Sequence, residues 1–288
     1  MKRTRPTISA FHKEEIVPEI HSADRLPISE NRRCGRKSVR PVLFAVLNLL
    51  TICFLMPSVC RAQDAKQIIQ RAEDAIKGKT SSYSVMEMTV RTPDYTRTMT
   101  MESWTSGTSK ALVKILSPVR EAGNRTLKLG NDIWMYLRNT ETTIRIPPSM
   151  MLQSWNGSDY TYDDMVREET LTKDYDIKLV GSEKIAGVDC WKLQLIPKPN
   201  APVVWGQLLY WVRKGDDLPA QVEYFDERGK LMRTMVMSDF REMGGRTIPT
   251  IWTMYNSDKT HSTEIKMEKA SFDKKIPSSI FSLRELEK

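Results

Sequence analysis

Histidine and cysteine are scarce in this chain, with three and four copies in 288 residues. His12, His21, Cys34, Cys53 and Cys60 all precede residue 63, which leaves His261 and Cys190 for the remainder. One histidine supplies neither a multi-histidine zinc site nor, by expectation, a Ser-His-Asp triad, so no metal and no cofactor are expected. His261 follows Asp258-Lys259-Thr260 and reads as an exposed strand residue. A single cysteine makes no intramolecular disulfide, and Cys190 beside Trp191 reads as a small buried hydrophobe. The 226 residues after Ala62 are enough to bury a core without such a link. Helix-length segments alternating with strands are missing, which argues against a doubly wound parallel sheet. Internal repeats and low-complexity linkers are missing too.

Net charge is also lacking once the N-terminus is set apart. Residues 1–62 hold 11 Lys+Arg and 5 Asp+Glu; subtracting these from 44 and 36 leaves 33 against 31, a net of +2. A nearly neutral domain has no electrostatic footprint for nucleic acid, and no nucleic-acid partner is expected. The basic cluster Arg32-Arg33, Arg36-Lys37 and Arg40 instead precedes the uncharged run from Val42 to Val59. Cys60 and Ala62 then stand where a signal peptidase reads small side chains, so 41–62 is expected to be a signal peptide cleaved after Ala62. Residues 1–40 are expected to be an N-terminal extension, disordered or translated from a start placed too early. The alternative is a retained inner-membrane anchor over 41–59.

Residues 63–288 are expected to form one domain. Its first element is a helix: Asp64 and Gln67 fit a capping box, Ile68, Ile69, Ala72, Ala75 and Ile76 share a face, and Gly78 ends it. Nearly everything beyond reads as short strands joined by turn residues. Gly130-Asn131-Asp132 marks a hairpin, and Lys274–Leu283 marks a terminal turn that tucks Phe281 against the sheet. That pattern predicts one antiparallel sheet, curled or closed, with a single wet face. The sheet encloses either a packed core or a cavity. Fourteen of the 16 methionines and all seven tryptophans follow Ala62, and soft thioethers suit both outcomes.

Residues 148–168 escape the strand pattern, most of them within the stretch IPPSMMLQSWNGSDYTYDDM (146–165). Their acids Asp159, Asp163 and Asp164 admit a hydrolase reading with paired carboxylates. Adjacent acids diverge, however, and Asp159 or Asp163 as the capping acid of a short helix is the simpler role.

The run SKALVKILSPVREAGNRTLKLGNDIWMYLRNTETTIRIPPSMMLQSWNGSDYTYDDMVRE (109–168), with KIAGVDCWKLQLIPK, LLYWVRKGDDLPAQVEYFDERGK and MGGRTIPTIWTM further on, resembles the outer-membrane lipoprotein-sorting family, the periplasmic LolA/LolB-like carriers. The resemblance implies a mainly β, α+β fold. An incomplete antiparallel barrel of about 11 strands would curl around an N-terminal helix and a mid-chain helical lid. It also implies an apolar cavity that shelters acyl chains between two membranes. The expected wall is Met86, Met88, Met99, Met101, Trp104, Trp134 and Tyr136. The expected lid is Met150, Met151, Leu152, Trp155, Tyr160 and Met165. The function this implies is a non-enzymatic, monomeric periplasmic carrier of acylated lipoproteins or other lipids. An inner-membrane transporter would be its donor and an outer-membrane acceptor its destination. An accessory partner of an envelope transporter is the alternative. The carrier branch of that family pins its lid with an arginine in an R-P-x-x-F-R-W-like stretch, and no such stretch is found here.

Overall fold

The computed structural model describes residues 57–167, 171–201 and 203–288. The chain divides into two units, Met1–Thr51 and Ile52–Lys288. The first lies outside the described residues, as do the expected extension and most of the apolar part of the expected signal peptide.

The second unit opens with helix α1 (Pro57–Ile76). It begins seven residues before Asp64, so Asp64 is an interior residue and not the cap expected from sequence. The expected cleavage point after Ala62 falls inside this helix. Ala65, Ile68, Ile69 and Ala72 are buried along one face, as the helical spacing required. Arg246 closes the C-terminal end by donating to the carbonyls of Asp74 (3.5 Å) and Lys77, which a helix end otherwise leaves without partners. Gly78 is required for space: a Cβ there would lie 2.0 Å from the Ser81 carbonyl oxygen.

Six strands follow, β1 (Ser81–Arg91), β2 (Thr96–Ser106), β3 (Lys110–Ser117), β4 (Arg125–Leu129), β5 (Asp132–Leu137) and β6 (Thr142–Arg145). Two short helices, α2 (Tyr162–Arg167) and α3 (Leu171–Asp174), interrupt the series. Seven more strands complete the sheet: β7 (Tyr175–Ile185), β8 (Val188–Pro197), β9 (Gln207–Arg213), β10 (Pro219–Phe225), β11 (Leu231–Met243), β12 (Arg246–Asn256) and β13 (Ser262–Phe272). A one-turn helix, α4 (Leu283–Leu286), lies near the C-terminus. The strands form one antiparallel sheet in the order β6-β5-β4-β3-β2-β1-β13-β12-β11-β10-β9-β8-β7. The mainly β, unclosed half-barrel expected from sequence is therefore present, with 13 strands where about 11 were expected. Its two free edges are β6 and β7, and the segment between them is 146–174.

Strand register explains which side chains meet. Met101 pairs with Met86 and Met86 with Met267, while Met237 pairs with Trp252 and Trp252 with Ile265. A parallel row runs Leu193, Tyr210, Val222, Met235, Met254 across β8 to β12. These rows occupy one face, since alternate residues of a strand share a face. Helix α1 packs on that face against the second half of the sheet, with Leu193, Leu195, Leu208 and Val212.

The opposite face is only partly wet, a departure from the expected single wet face. Ile276, Ile280, Phe281 and Leu286 cover Leu112, Leu127 and Tyr136 there, with Trp104 and Trp134 at the margin. Phe281 is tucked in as the terminal segment predicted. Arg125 fixes this cover by donating to the carbonyls of Glu285 (2.8 Å) and Leu286 (3.2 Å) at the end of α4.

Ile69 is fully buried where α1 meets the sheet. Ile69→Ala is expected to cost about 2–5 kcal/mol in urea unfolding with an unchanged slope. A loss below about 0.5 kcal/mol, the range of surface changes, would show that α1 is not seated in this core.

Candidate ligand-binding cavity

A cavity of about 290 Å³ lies between α1, the concave sheet face and segment 146–174. That is far above the ~10–15 Å³ that holds one water. Thioethers dominate the wall: Met86, Met101, Met235, Met237, Met254 and Met267 come from the sheet, and Met165 from α2. Aromatic rings form most of the rest, with Trp155, Trp205 and Trp252 alongside Tyr160, Tyr210 and Tyr224. Unbranched, polarizable thioethers adapt to the outline of an apolar guest, and the rings add rigid area. Polar groups are few: Glu73 and Lys77 of α1, 4.0 Å apart, and Asp163 and Asp164 of α2.

Each residue singled out from sequence has a definite place. Met86 and Met101 line the cavity, whereas Met88 and Met99 are fully buried beside it with Val113, Ile115 and Ile133. Trp104, Trp134 and Tyr136 lie on the opposite face beneath the C-terminal segment, because they alternate out of phase with Met101 and Met135. Of the expected lid, Trp155, Tyr160 and Met165 line the cavity, Met150 and Met151 pack on the first half of the sheet, and Leu152 is exposed. Strands β9 to β13 supply much of the wall, and so do Val203 and Trp205 of the β8–β9 loop. These were not singled out from sequence. Period-two alternation of Leu208 with Tyr210 and of Met235 with Met237 was the available signal.

Segment 146–167 is a plug more than a flap. Pro147 and Pro148 end the strand, and Trp155 N–H bonds the Tyr160 carbonyl at 2.7 Å to close a tight loop. Its turn has Asn156 and Gly157 at φ 49° and 65°, a region that favours glycine. A Cβ on Gly157 would also come 3.0 Å from the Arg97 guanidinium. Trp155 enters the cluster of the first half of the sheet and donates from Nε1 to the Thr126 hydroxyl at 3.2 Å. Tyr160 enters the cluster of the second half, its hydroxyl donating to Met235 Sδ at 3.9 Å. One short loop thus stitches together the two halves of the sheet.

Charge secures the same segment. Arg97 of β2 donates to the Asn156 carbonyl and to Glu121 (3.3 Å). Arg233 of β11 donates to Asp164 through both terminal nitrogens, Nη1 to Oδ2 at 2.8 Å and Nη2 to Oδ1, and Nη1 also reaches the Asp159 carbonyl at 3.2 Å. Its guanidinium lies over the rings of Tyr224 (4.3 Å) and Trp205 (4.5 Å). Burial opposes the Arg233 charge, yet the field and hydrogen bonds of Asp164 outweigh it and hold the pKa above the usual arginine value.

The three acids have structural partners. Asp164 and Thr161 form a reciprocal capping box: Thr161 N–H donates to Asp164 Oδ2 at 2.7 Å, and Asp164 N–H to the Thr161 hydroxyl at 3.3 Å. The cap of α2 is therefore Thr161 with Asp164 and not Asp159 or Asp163, as expected from sequence. The Asp159 N–H donates to the Thr263 hydroxyl at 2.9 Å, which in turn donates to the Asp159 carboxylate at 2.7 Å. Asp163 is buried at the cavity wall. Cys190 lies on the opposite face with Trp211 and Ala220, and burial pushes its thiol pKa up, away from nucleophilic use. Among the described residues no group of three or more His, Cys, Asp and Glu is placed to hold a metal ion, and no helix is long and apolar enough to cross a membrane.

An unclosed antiparallel half-barrel with a helix and a plugged apolar cavity on its concave face defines the structural class. A domain described as that of an outer membrane lipoprotein-sorting protein from Vibrio parahaemolyticus has the same fold, at TM-score 0.70 and 22% identity over 79% of this chain and 100% of that one. A DUF1329 family protein from Desulfovibrio piger matches at TM-score 0.72 and 20% identity over 78% and 99%. A LolA superfamily protein from Nitrosomonas europaea matches at 0.65 and 21% over 77% and 98%. A family model described as that of an uncharacterized protein matches residues 107–288, and the chain belongs to that family; its fold is the one these three structures share. No curated protein matches the chain.

Truncation of Asp164 leaves Arg233 charged and buried without its main partner. Asp164→Ala is expected to lower stability by about 3–5 kcal/mol, and a neutral pair (Asp164→Asn with Arg233→Gln) by much less. Chemical unfolding read together with amide exchange over 154–167 checks this; a single-mutant loss within 0.5 kcal/mol would mean the pair is not a fastening.

Proposed function

We propose that this protein is a non-enzymatic periplasmic carrier, which takes the acyl chains of lipoproteins or other lipids into its cavity for transfer towards the outer membrane. The observation that carries the reading is the wall itself. Seven thioethers and several aromatic rings line about 290 Å³, with Glu73, Lys77, Asp163 and Asp164 as the few polar groups among them. Each methylene moved from water into such a space gains about 0.8 kcal/mol, so burial alone holds a long chain without a covalent step. The shared fold of the lipoprotein-sorting domains supports the same reading.

The carboxylates of Asp159 and Asp164 fasten the plug, which favours a binding protein over a hydrolase. Release then requires the plug to leave the concave face, with Trp155 and Tyr160 as its two anchors. Export by a signal peptide over 41–62 would deliver the chain to the periplasm. An inner-membrane transporter as donor and an outer-membrane acceptor complete the proposed route, and the carrier acts as a monomer.

Binding is testable with delipidated protein and a dansyl-labelled acyl probe, read by energy transfer from Trp155, Trp205 and Trp252 at the wall. Met101→Gln combined with Met254→Gln is expected to weaken the probe at least about tenfold, equivalent to about 1.4 kcal/mol. Trp134→Phe on the opposite face should stay within about twofold. Absence of any saturable uptake by the wild-type protein would sink the carrier reading.

A further inference from the structure

Arg233 is an unusual residue for its position. It alternates with Met235 and Met237 on the concave face of β11, and it is buried. Two aromatic faces, Trp205 and Tyr224, flank its guanidinium, and both rings line the cavity. Its edge receives one carboxylate, that of Asp164, held in a two-point grip. The edge of a stacked, desolvated guanidinium is a receptor for an oxyanion. The oxyanion now in it belongs to the plug, the part that must move if a chain is to enter. The two side-chain ties of Trp155 and Tyr160 are neutral, through Thr126 and Met235, so this ion pair sets the charge at that end.

The grip is also incomplete. Nη1 and Nη2 are used by Asp164 and by the Asp159 carbonyl, while Nε is buried with no hydrogen-bond partner. A planar carboxylate offers two oxygens, and Asp164 spends both on the terminal nitrogens. A tetrahedral phosphate has a further oxygen with which to reach Nε. When the plug withdraws Asp164, a buried cation is stranded unless another anion takes its place, and that cost favours an incoming head group of the same sign.

We propose that Arg233 is the head-group subsite of the cavity, that Asp164 is its resident stand-in, and that the ligand is an amphiphile carrying a phosphate head group. The inference rests on the reading of the cavity as the seat of an acyl chain. Trp205 and Tyr224 act as positioning residues that keep the guanidinium edge turned to the anion. Exchange of Asp164 for the ligand phosphate couples loading to release of the plug, because both anions compete for one cation.

The test is displacement of the dansyl-acyl probe from the full chain by hexadecyl phosphate, hexadecanol or inorganic phosphate, each amphiphile below its aggregation concentration. Hexadecyl phosphate is expected to displace the probe at a concentration at least about tenfold lower than hexadecanol, and inorganic phosphate to leave the probe bound. Asp164→Asn, which keeps the shape but removes the competing charge, should widen that ratio. The neutral pair Arg233→Gln with Asp164→Asn, which avoids a stranded charge in the fold, should abolish it while hexadecanol still displaces. Equal displacement by the two amphiphiles in the wild type overturns the head-group subsite, as does an advantage that survives in the neutral pair. Loss of plug protection in amide exchange with inorganic phosphate alone assigns the subsite to a free ion and overturns its link to a lipid. Failure of every amphiphile and of the probe to bind overturns the cavity reading itself, an outcome distinct from equal binding.

Discussion

A sheet of thirteen antiparallel strands that does not close has a concave apolar face too broad for its own side chains to fill, and every other feature of the fold answers that constraint. Helix α1 covers the part beneath β7 to β9 and β12. The plug between β6 and β7 covers the part above β1 to β5, with Trp155 on one side and Tyr160 on the other. About 290 Å³ is left between them. The thioethers and rings of that open pocket meet water, which is unfavourable by about 25 cal/mol per Å² of apolar surface. A guest relieves that cost, which is why the cavity reads as a site and not as a packing defect.

The fastening of the plug is polar where its contact surface is apolar, and the two kinds of contact do different work. Apolar contact is non-directional and survives sliding; hydrogen bonds and ion pairs fix one register. Arg97 holds the loop from β2, Thr263 holds Asp159 from β13, and Arg233 holds Asp164 from β11. The ties reach from strands on both sides of the sheet centre to one short segment. Movement of that segment would therefore free both halves of the sheet at once, a property suited to an element that has to open over a long guest.

Much of this was legible in the sequence. Alternation of apolar and polar residues gave the antiparallel sheet, and the break at 148–168 located the plug. The scarcity of histidine turned attention from its acids to its hydrophobes. What alternation alone left open was which face of each strand is concave. Trp104, Trp134 and Tyr136 look like wall residues because the opposite face is itself partly covered, by a C-terminal segment whose docking depends on Arg125 and Phe281, distant in sequence. The start of α1 at Pro57 was hidden because Val59-Cys60-Arg61-Ala62 also fits the exit of a signal peptide. Arg233 was missed as well, although its signal was present: in LMRTMVM a lone arginine shares the face of two methionines, and a charge facing a strand's apolar side needs a buried partner. Which acid supplies that partner, Asp164 some 69 residues earlier, is a fact of tertiary structure.

The central claim is that the concave face holds an amphiphile. The most direct measurement is native mass spectrometry of the protein released gently from the envelope of its own cells. The account predicts a population heavier than the polypeptide by the mass of one lipid or one acylated species, lost on delipidation. A single unliganded mass, unchanged by delipidation and by exposure to lipid, would contradict it.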